Sequence, residues 1–519
     1  MSGRGLARAG LLVSGAFLVS RLLGWVRVAI IAATVGLGSD LDSFYAAFRL
    51  PDLMFQLVAA GAVNSALIPV ISELLANDSA ARAWRTVSTI INLMLLAVVV
   101  LAIMLFVAAP WLVPLVTPGF DAAKVGRTVE LTRIMVLSPV FLALGSVATS
   151  VLNARGRFAA SVVAPIAYNL GMIGGALILY PMVGITGLAL GVVAGSICHI
   201  AVQLRPLAID GFVYSAGIQL RDSAARRTVA LMLPRALGLG ATQVTLVVLT
   251  TLASTMAEGS VAALNVGFTL LQIPLGVISM ALAAVVLPAL SRAVATGAVD
   301  EFVDLLRRAI RLLLFVMFPI AGMGIVLRTS VVTLLFGYGR FDAAAVQVTS
   351  DTLLFFLLGL VAHAEIAILA PAFYANQDTR TPVGIAVTGT VITIILAVVL
   401  AGPLGLPGLA LSVALGAWFE ALAMIVVLGR RWPALDLGNL GWALLVALGA
   451  ACLASVVTLG VATAVGGLEV GPARVSLLLH LVLAAGAGGL VYIVIGRSLR
   501  IAELSTITGV VTDVVRRRG

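Results

Sequence analysis

The chain has 519 residues, of which 61% are hydrophobic and only 10% charged. About a quarter of the residues of a soluble domain are charged, so an ordinary water-soluble protein is excluded and a polytopic membrane protein is required. The net charge of +10 does not imply a nucleic-acid partner, because the basic residues are scattered over short segments between apolar runs.

Apolar runs of roughly 18 or more residues recur from end to end, each matching the ~20 residues a helix needs to cross the hydrocarbon core. Run length specifies helices, since barrel strands would alternate over ~10-residue segments. In chain order the predicted spans lie near 10–37, 43–75, 86–117, 129–153, 158–180, 184–207, 228–256, 260–295, 306–336, 347–374, 382–402, 406–429, 438–465 and 475–496, fourteen in all. The first run is too long for a cleavable leader and lacks a small-residue cleavage site. Cys198 and Cys452 lie in apolar runs without a CxxC or Cys/His cluster, which supports neither a disulfide framework nor a zinc site. With both termini in the cytoplasm, Arg4, Arg8, Arg82, Arg85, Arg155, Arg157, Arg205, Arg221 and the closing Arg516 to Arg518 share one side. Only Lys124, Arg127, Arg328, Arg340, Arg474 and a borderline Arg133 face the other, as the positive-inside rule requires.

The sequence repeats internally. "FDAAKV" at 120–125 returns as "FDAAAV" at 341–346, and "GITGLALGVVAG" at 184–195 as "GLPGLALSVALG" at 405–416, both at an offset of 221 residues. Fainter echoes match "RLPD" at 49–52 with "QIPL" at 272–275, and "LIPVIS" at 67–72 with "VLPALS" at 286–291. The unit holds six spans, an even number, so both copies enter the membrane in the same direction, as in transporters built from parallel repeats. The predicted organisation is an N-terminal six-helix lobe (1–207), a mildly amphipathic linker at the cytoplasmic interface (208–226) and a C-terminal six-helix lobe (227–430). Two appended transmembrane helices (431–497) and a basic cytoplasmic tail (498–519) follow.

A charge at the bilayer centre costs roughly 2.5–3.5 kcal/mol or more, so each ionisable residue within a run is a site candidate. Arg21 and Arg27, in "FLVSRLLGWVRVAI", lie three residues either side of Gly24, with Ser20 in the same ~120° sector. They are separated by ~9 Å along the axis, within reach of one diphosphate, whose oxygens the planar guanidinium fork matches. The alternative is that they snorkel or pair with Asp42 or Asp52. Asp42 and Arg49 share a face of the second span, where a local ion pair at the extracellular end competes with a site role, with Pro51 breaking the helix just beyond. Arg235, beside Pro234 at a span start, is expected to snorkel. His363 and Glu365 lie near mid-span, where proton or cation coupling competes with a packing role. Glu420, His199 and His480 are read as packing residues, and Gly171 and Gly175 as a close-packing pair. A Walker loop, GxSxG and HExxH are all missing, so the chain is not read as an enzyme and transport must draw on an ion gradient, the membrane potential or the cargo's own gradient.

Taken in order, "SRLLGWVR", "LDSFYAAFRLPD", "AAGAVNSALIPVISE", "VVLPALSR", "FGYGRFDAAAV" and "AFYANQDTRTPV" resemble the MurJ (MviN) lipid II flippases of the multidrug/oligosaccharidyl-lipid/polysaccharide (MOP) exporter superfamily. The resemblance runs from about Ser14 to Arg430. It implies an all-α transporter with two six-helix lobes forming a V-shaped central cavity, two extra C-terminal helices and alternating access. It further implies a bacterial cytoplasmic membrane, no cofactor beyond Na+ or H+ coupling or the membrane potential, and contact with membrane lipids and the cell-wall synthesis machinery. The implied cargo is lipid II, the undecaprenyl-diphosphate-linked peptidoglycan precursor, moved from the inner to the outer leaflet. Teichoic-acid or capsule lipid-linked oligosaccharides, or a small cationic drug, are the alternatives; a drug would call for a carboxylate-dominated cavity, which the arginines oppose.

By the same resemblance Ser20, Arg21 and Arg27, around Gly24, belong to the cavity wall, and Asp42 matches a family acidic position. Where many members read an Arg-Arg pair followed by "AEGAF", this chain has Phe55, Gln56 and "AAGAV". Where many carry an arginine and a glutamate before the proline of the eighth helix, it has Thr269 and Gln272. Gln56, Thr269, Gln272 and Arg49 complete the candidate cargo contacts. Asp378 and Thr379 are candidates for a sodium site, set against a turn and cap before Pro382.

Overall fold

A computed structural model describes residues 3–58, 62–77, 80–219, 221–467 and 471–499, with side chains masked at 3–18, 62–66, 77, 231 and 233–242. The expectations for Arg4, Arg8, Arg235 and the tail beyond 499 lie outside that description. All described elements are helices, and the chain forms two compact units.

The first unit is Met1–Ala262 with Tyr338–Asp342. It contains α1 (Gly3–Val35), α2 (Ser39–Val58), α3 (Ala62–Asn77), α4 (Ala80–Val116), α5 (Ala122–Met135) and α6 (Ser138–Ala154). α7 (Phe158–Gly174), a π-helical turn (Gly175–Leu179), α8 (Tyr180–Val183), α9 (Ile185–Ile209) and α10 (Ser223–Ser254) complete it. The second unit is Ala263–Gly337 with Ala343–Gly519. It holds most of α11 (Ser260–Pro274), then α12 (Met280–Ala295), α13 (Val299–Phe336), α14 (Ala343–Leu358) and α15 (Leu360–Ala375). α16 (Arg380–Leu404), α17 (Leu406–Arg431), α18 (Leu437–Val465) and α19 (Ala473–Ser498) follow.

Ten described helices are long and apolar enough to cross a bilayer, and α14 with α15, bent by 44° at Gly359, makes an eleventh. α4, at 37 residues, is about 55 Å long and exceeds the hydrocarbon core. Its later turns expose Val100, Ile103, Met104, Val107, Trp111 and Leu115, a stripe at helical spacing that suits lipid. Its early turns instead bury Thr86, Ser88, Thr89 and Asn92. These pin residues 212–219, which run extended: Ser215 donates its amide to Ser88 Oγ (3.0 Å), Gln219 to Thr89 Oγ1 (3.3 Å), and Asn92 Nδ2 donates to the Ser215 and Gly217 carbonyls. The amphipathic linker expected at 208–226 is thus, in its central part, a strap. The strap returns α10 onto α2, α3 and α4, so α10, expected to open the C-terminal lobe, packs within the first unit.

The internal duplication is visible in the backbone. Gly184 and Gly405, one repeat length apart, precede α9 and α17 with matching φ/ψ of 63°/−148° and 59°/−138°, a left-handed conformation that favours glycine. α5 and α14 each begin directly after the "FD" of the repeated motif. Close helix contact is built from glycine between α7 and α9. A Cβ added at Gly171 would stand 2.3 Å from the Cα of Gly195, and one added at Gly195 would stand 2.5 Å from the Tyr168 carbonyl oxygen. In the second unit α18 packs on α13, and Tyr492 of α19 donates its hydroxyl to the Phe315 carbonyl at 2.8 Å.

Two local expectations for α2 are corrected. Pro51 does not break the helix, which continues to Val58. The Ala47 carbonyl, deprived by Pro51 of its intrahelical donor, receives the Thr132 hydroxyl of α5 at 3.4 Å. Nor does Asp42 pair with Arg49, because seven residues separate the two by about 10 Å along the axis. Asp42, only 2% exposed, instead binds Lys124 Nζ at 3.0 Å and accepts from the backbone amides of Gly259 (2.8 Å) and Ala262 (2.9 Å). Gly259 meets it at φ +88°, and Lys124 also caps the Phe120 ring at 4.0 Å.

Removing one partner from a buried ion pair strands the other, at a cost of about 3–5 kcal/mol. Asp42→Ala is therefore expected to lower the melting temperature in detergent sharply, and the double substitution Asp42→Asn/Lys124→Met to recover part of the loss. In the same assay Gly171→Ala is expected to cost about 1–3 kcal/mol through overpacking. Gly174→Ala, with nothing within 4 Å of its added Cβ, is the neutral control.

Candidate functional site

Arg27 leaves α1 toward α7. Its Nη1 donates to Asn169 Oδ1 at 3.0 Å and lies 3.3 Å from Met172 Sδ, while its buried Nε has no hydrogen-bond partner among the described residues. Gly24, one turn earlier, lies against the same side chain: a Cβ there would stand 4.0 Å from both polar atoms of the Asn169 amide, an ordinary van der Waals contact. Asn169 is itself 6% exposed, while Arg27 is half-buried.

The second cation of this group is Arg49, from α2. Its Nε donates to Thr250 Oγ1 of α10 at 2.9 Å. The charges of Arg27 and Arg49 both act on the Tyr45 phenol, and those of Arg27 and Asp52 on the Tyr168 phenol. Asp52 is also in the field of Arg49 and accepts from Gln56 Nε2 at 3.4 Å. Within the first unit Arg27 thus links α1 to α7 and Arg49 links α2 to α10, with Asp52 and Gln56 bonded to each other further along α2. Guanidinium and phenol N–H and O–H groups donate to anion oxygens, so with two positive charges against one negative the cluster is suited to a phosphate ester.

Of the residues singled out in the sequence, Arg27, Arg49 and Gln56 enter this cluster, and Asp42 lies in the knot at the start of α2. Arg21 and Ser20 are half-buried on α1. Thr269 and Gln272 belong to the second unit; Thr269 donates to the Asn265 carbonyl at 2.8 Å, and Gln272 is exposed. Tyr45, Tyr168, Asn169 and Thr250 were not anticipated, because polar residues at single positions in apolar runs carry no periodic signal.

The ion-coupling candidates separate. Asp378 accepts the Thr381 amide (3.0 Å) and hydroxyl (2.7 Å) and pairs with Arg431 at 2.6 Å. The two Thr381 hydrogen bonds and the Arg431 charge hold its carboxyl down at about 2. That is a turn and cap for α16, with Thr379 exposed beside it. Glu365, on α15 two turns after the Gly359 bend, is 1% exposed, and neither carboxylate oxygen has a hydrogen-bond partner among the described residues. His363 lies two positions earlier, about 160° around the helix, and its Nε2 is likewise buried without a partner. Among the described residues no group of three or more His, Cys, Asp or Glu could hold a metal ion.

Comparison with known proteins gives this arrangement a family. The family model described as lipid II flippase MurJ matches residues 31–470. A lipid II flippase MurJ of Burkholderia cenocepacia is 32% identical over 434 residues, covering 82% of this chain and 84% of its own. A probable lipid II flippase MurJ of Rhizobium tropici is 31% identical, covering 84% and 82%. Among solved structures, a lipid II flippase MurJ in an inward closed conformation matches 94% of this chain and 99% of its own with a TM-score of 0.78 at 21% identity. An inward-facing multidrug resistance MATE family transporter of the MOP superfamily matches 80% and 98% with a TM-score of 0.65 at 17% identity. The shared fold is therefore that of the two-lobe MOP transporters, and the chain, a multi-pass membrane protein, belongs to the lipid II flippase MurJ family.

Proposed function

We propose that this protein is a lipid II flippase that carries the undecaprenyl-diphosphate-linked precursor from the inner to the outer leaflet of a bacterial cytoplasmic membrane by alternating access, and that Arg27 and Arg49 hold its diphosphate. The observation that carries the assignment is the family match over residues 31–470, and two guanidiniums held within the first unit, Arg27 against Asn169 and Arg49 against Thr250, support the diphosphate role. Arg27 donates to Asn169 and Arg49 to Thr250, contacts that orient the two guanidinium forks. Arg21 is the third cation on the path. Family membership supports the cargo, and the excess of arginine at the ends read as cytoplasmic supports the orientation.

A charge-assisted hydrogen bond contributes about 1.5–3 kcal/mol, so losing one arginine is expected to weaken diphosphate binding about tenfold to a hundredfold. In a strain depleted of its own flippase, the wild-type gene is expected to restore lipid II accessibility in the outer leaflet, and Arg27→Ala/Arg49→Ala is expected to fail although expressed. Full rescue by the double variant would overturn the assignment. Restoration of a teichoic-acid or capsule precursor in place of lipid II would move the cargo to another lipid-linked glycan, the reading favoured by the uncharged Gln56, Thr269 and Gln272.

For coupling, Glu365 is the better candidate than Asp378. Asp378 stays ionised down to about pH 2 and is committed to Thr381 and Arg431. Its contribution to stability is present above the ordinary carboxylate pKa and is lost only as pH falls through about 2. Glu365 can gain or lose a proton without breaking a hydrogen bond within the described structure. In proteoliposomes Glu365→Gln is expected to abolish the response of flipping to an imposed proton gradient while Asp378→Asn retains it; an unchanged response in Glu365→Gln rules the coupling role out.

A further inference from the structure

Where the strap meets the first turns of α4, the surface closes into a cavity of about 620 Å3 lined by Arg82, Arg85, Ile218, Gln219, Arg221 and Asp222. Three guanidiniums stand against one carboxylate, and that carboxylate is already engaged. Asp222 pairs with Arg82 at 3.5 Å, accepts the Thr86 hydroxyl at 2.6 Å and caps α10 by accepting the Ala224 amide at 3.2 Å. Burial works to raise its pKa, but these hydrogen bonds and the Arg82 charge outweigh it and hold the carboxyl below its ordinary value. Asp222 therefore remains a fixed anion that orients Arg82. Arg85 and Arg221 are exposed and make no ion pair among the described residues, so two guanidiniums face the cavity uncommitted.

The surroundings are not those of a site for a free soluble anion. The strap exposes Val213 at 69%, Tyr214 at 54% and Ile218 at 44%, and Ile218 forms part of the cavity wall. Tyr214 is held in place by its hydroxyl, which donates to Asn92 Oδ1 at 2.6 Å, and Phe212 packs edge-on against Trp84 at 5.5 Å. A basic cavity with an ordered apolar lip sits at the end of a helix whose later turns are dressed for lipid. We infer that this cavity binds the headgroup phosphate of an anionic phospholipid, with Arg85 and Arg221 on the phosphate oxygens and the acyl chains lying along Ile218, Val213 and the apolar face of α4. The site is separate from the Arg27 and Arg49 cluster and does not depend on the identity of the transported cargo.

The test is native mass spectrometry of the full-length protein in an uncharged detergent, titrated separately with phosphatidylglycerol, phosphatidylcholine, inorganic phosphate and undecaprenyl diphosphate. Juxtamembrane arginines contribute about 1 kcal/mol each to anionic-lipid attraction, so Arg85→Gln/Arg221→Gln is expected to weaken phosphatidylglycerol binding by about tenfold or more. Arg85→Lys/Arg221→Lys, which keeps the charge, is expected to retain most of it, and phosphatidylcholine to bind weakly to every form. Equal phosphatidylglycerol binding by wild type and the glutamine variant overturns the proposal. So does competition by inorganic phosphate at the lipid's own concentration, which would mark a soluble-anion site, or a loss confined to undecaprenyl diphosphate, which would place the arginines on the cargo path. If the glutamine variant fails to fold, release of phosphatidylglycerol from wild type on raising the salt is the second measurement, and salt-insensitive binding overturns the proposal equally.

Discussion

Burying a carboxylate is costly unless a countercharge and hydrogen bonds replace the water it loses, and Asp42 is only 2% exposed. Asp42 meets that demand with one ammonium and two backbone amides drawn from α5 and from the approach to α11. It thereby fixes where α2 begins. Tyr45, Arg49 and Asp52 follow on the same helix within about three turns, so their heights are set from that end. The knot at Asp42 is thus a positioning device for the cluster as well as a contact in its own right.

α2 carries its proline without losing its course because a neighbour repairs the gap. The Ala47 carbonyl freed by Pro51 is met by Thr132, just as the polar early turns of α4 are met by the backbone of the strap. In both places the exchange runs between a helix side chain and a backbone group that lacks its regular partner. Such pairings let a helix bend, or a connection run extended, at the edge of an apolar medium where open backbone groups would otherwise be costly.

What could be read from the sequence and what could not follow from the range of the interactions. Run length gave helices, and the repeated "FDAA" and "GLAL" segments gave the duplication, because turns and close glycine contacts are encoded by adjacent residues. The Gly171 and Gly175 pairing was legible for the same reason. Partners across helices were not: Lys124 is 82 residues from Asp42, and Thr250 is 201 residues from Arg49. A seven-residue spacing within one helix was the nearest available substitute, and it pointed to an ion pair that the helical rise forbids. The anchoring of the linker was hidden for a related reason, since it rests on small polar side chains of α4 whose spacing carries no amphipathic signal. The same limit hid Tyr168 and Asn169, although Arg27 on the facing helix was evident.

The paired turns at Gly184 and Gly405 carry one more implication. The two copies have kept this backbone to within about ten degrees, yet "RLPD" in the first corresponds to "QIPL" in the second, so that arginine and aspartate in one copy are replaced by glutamine and leucine in the other. Duplication preserved the scaffold and released the chemistry. A chain built this way can keep one backbone turn in both halves while the side chains around it differ between them.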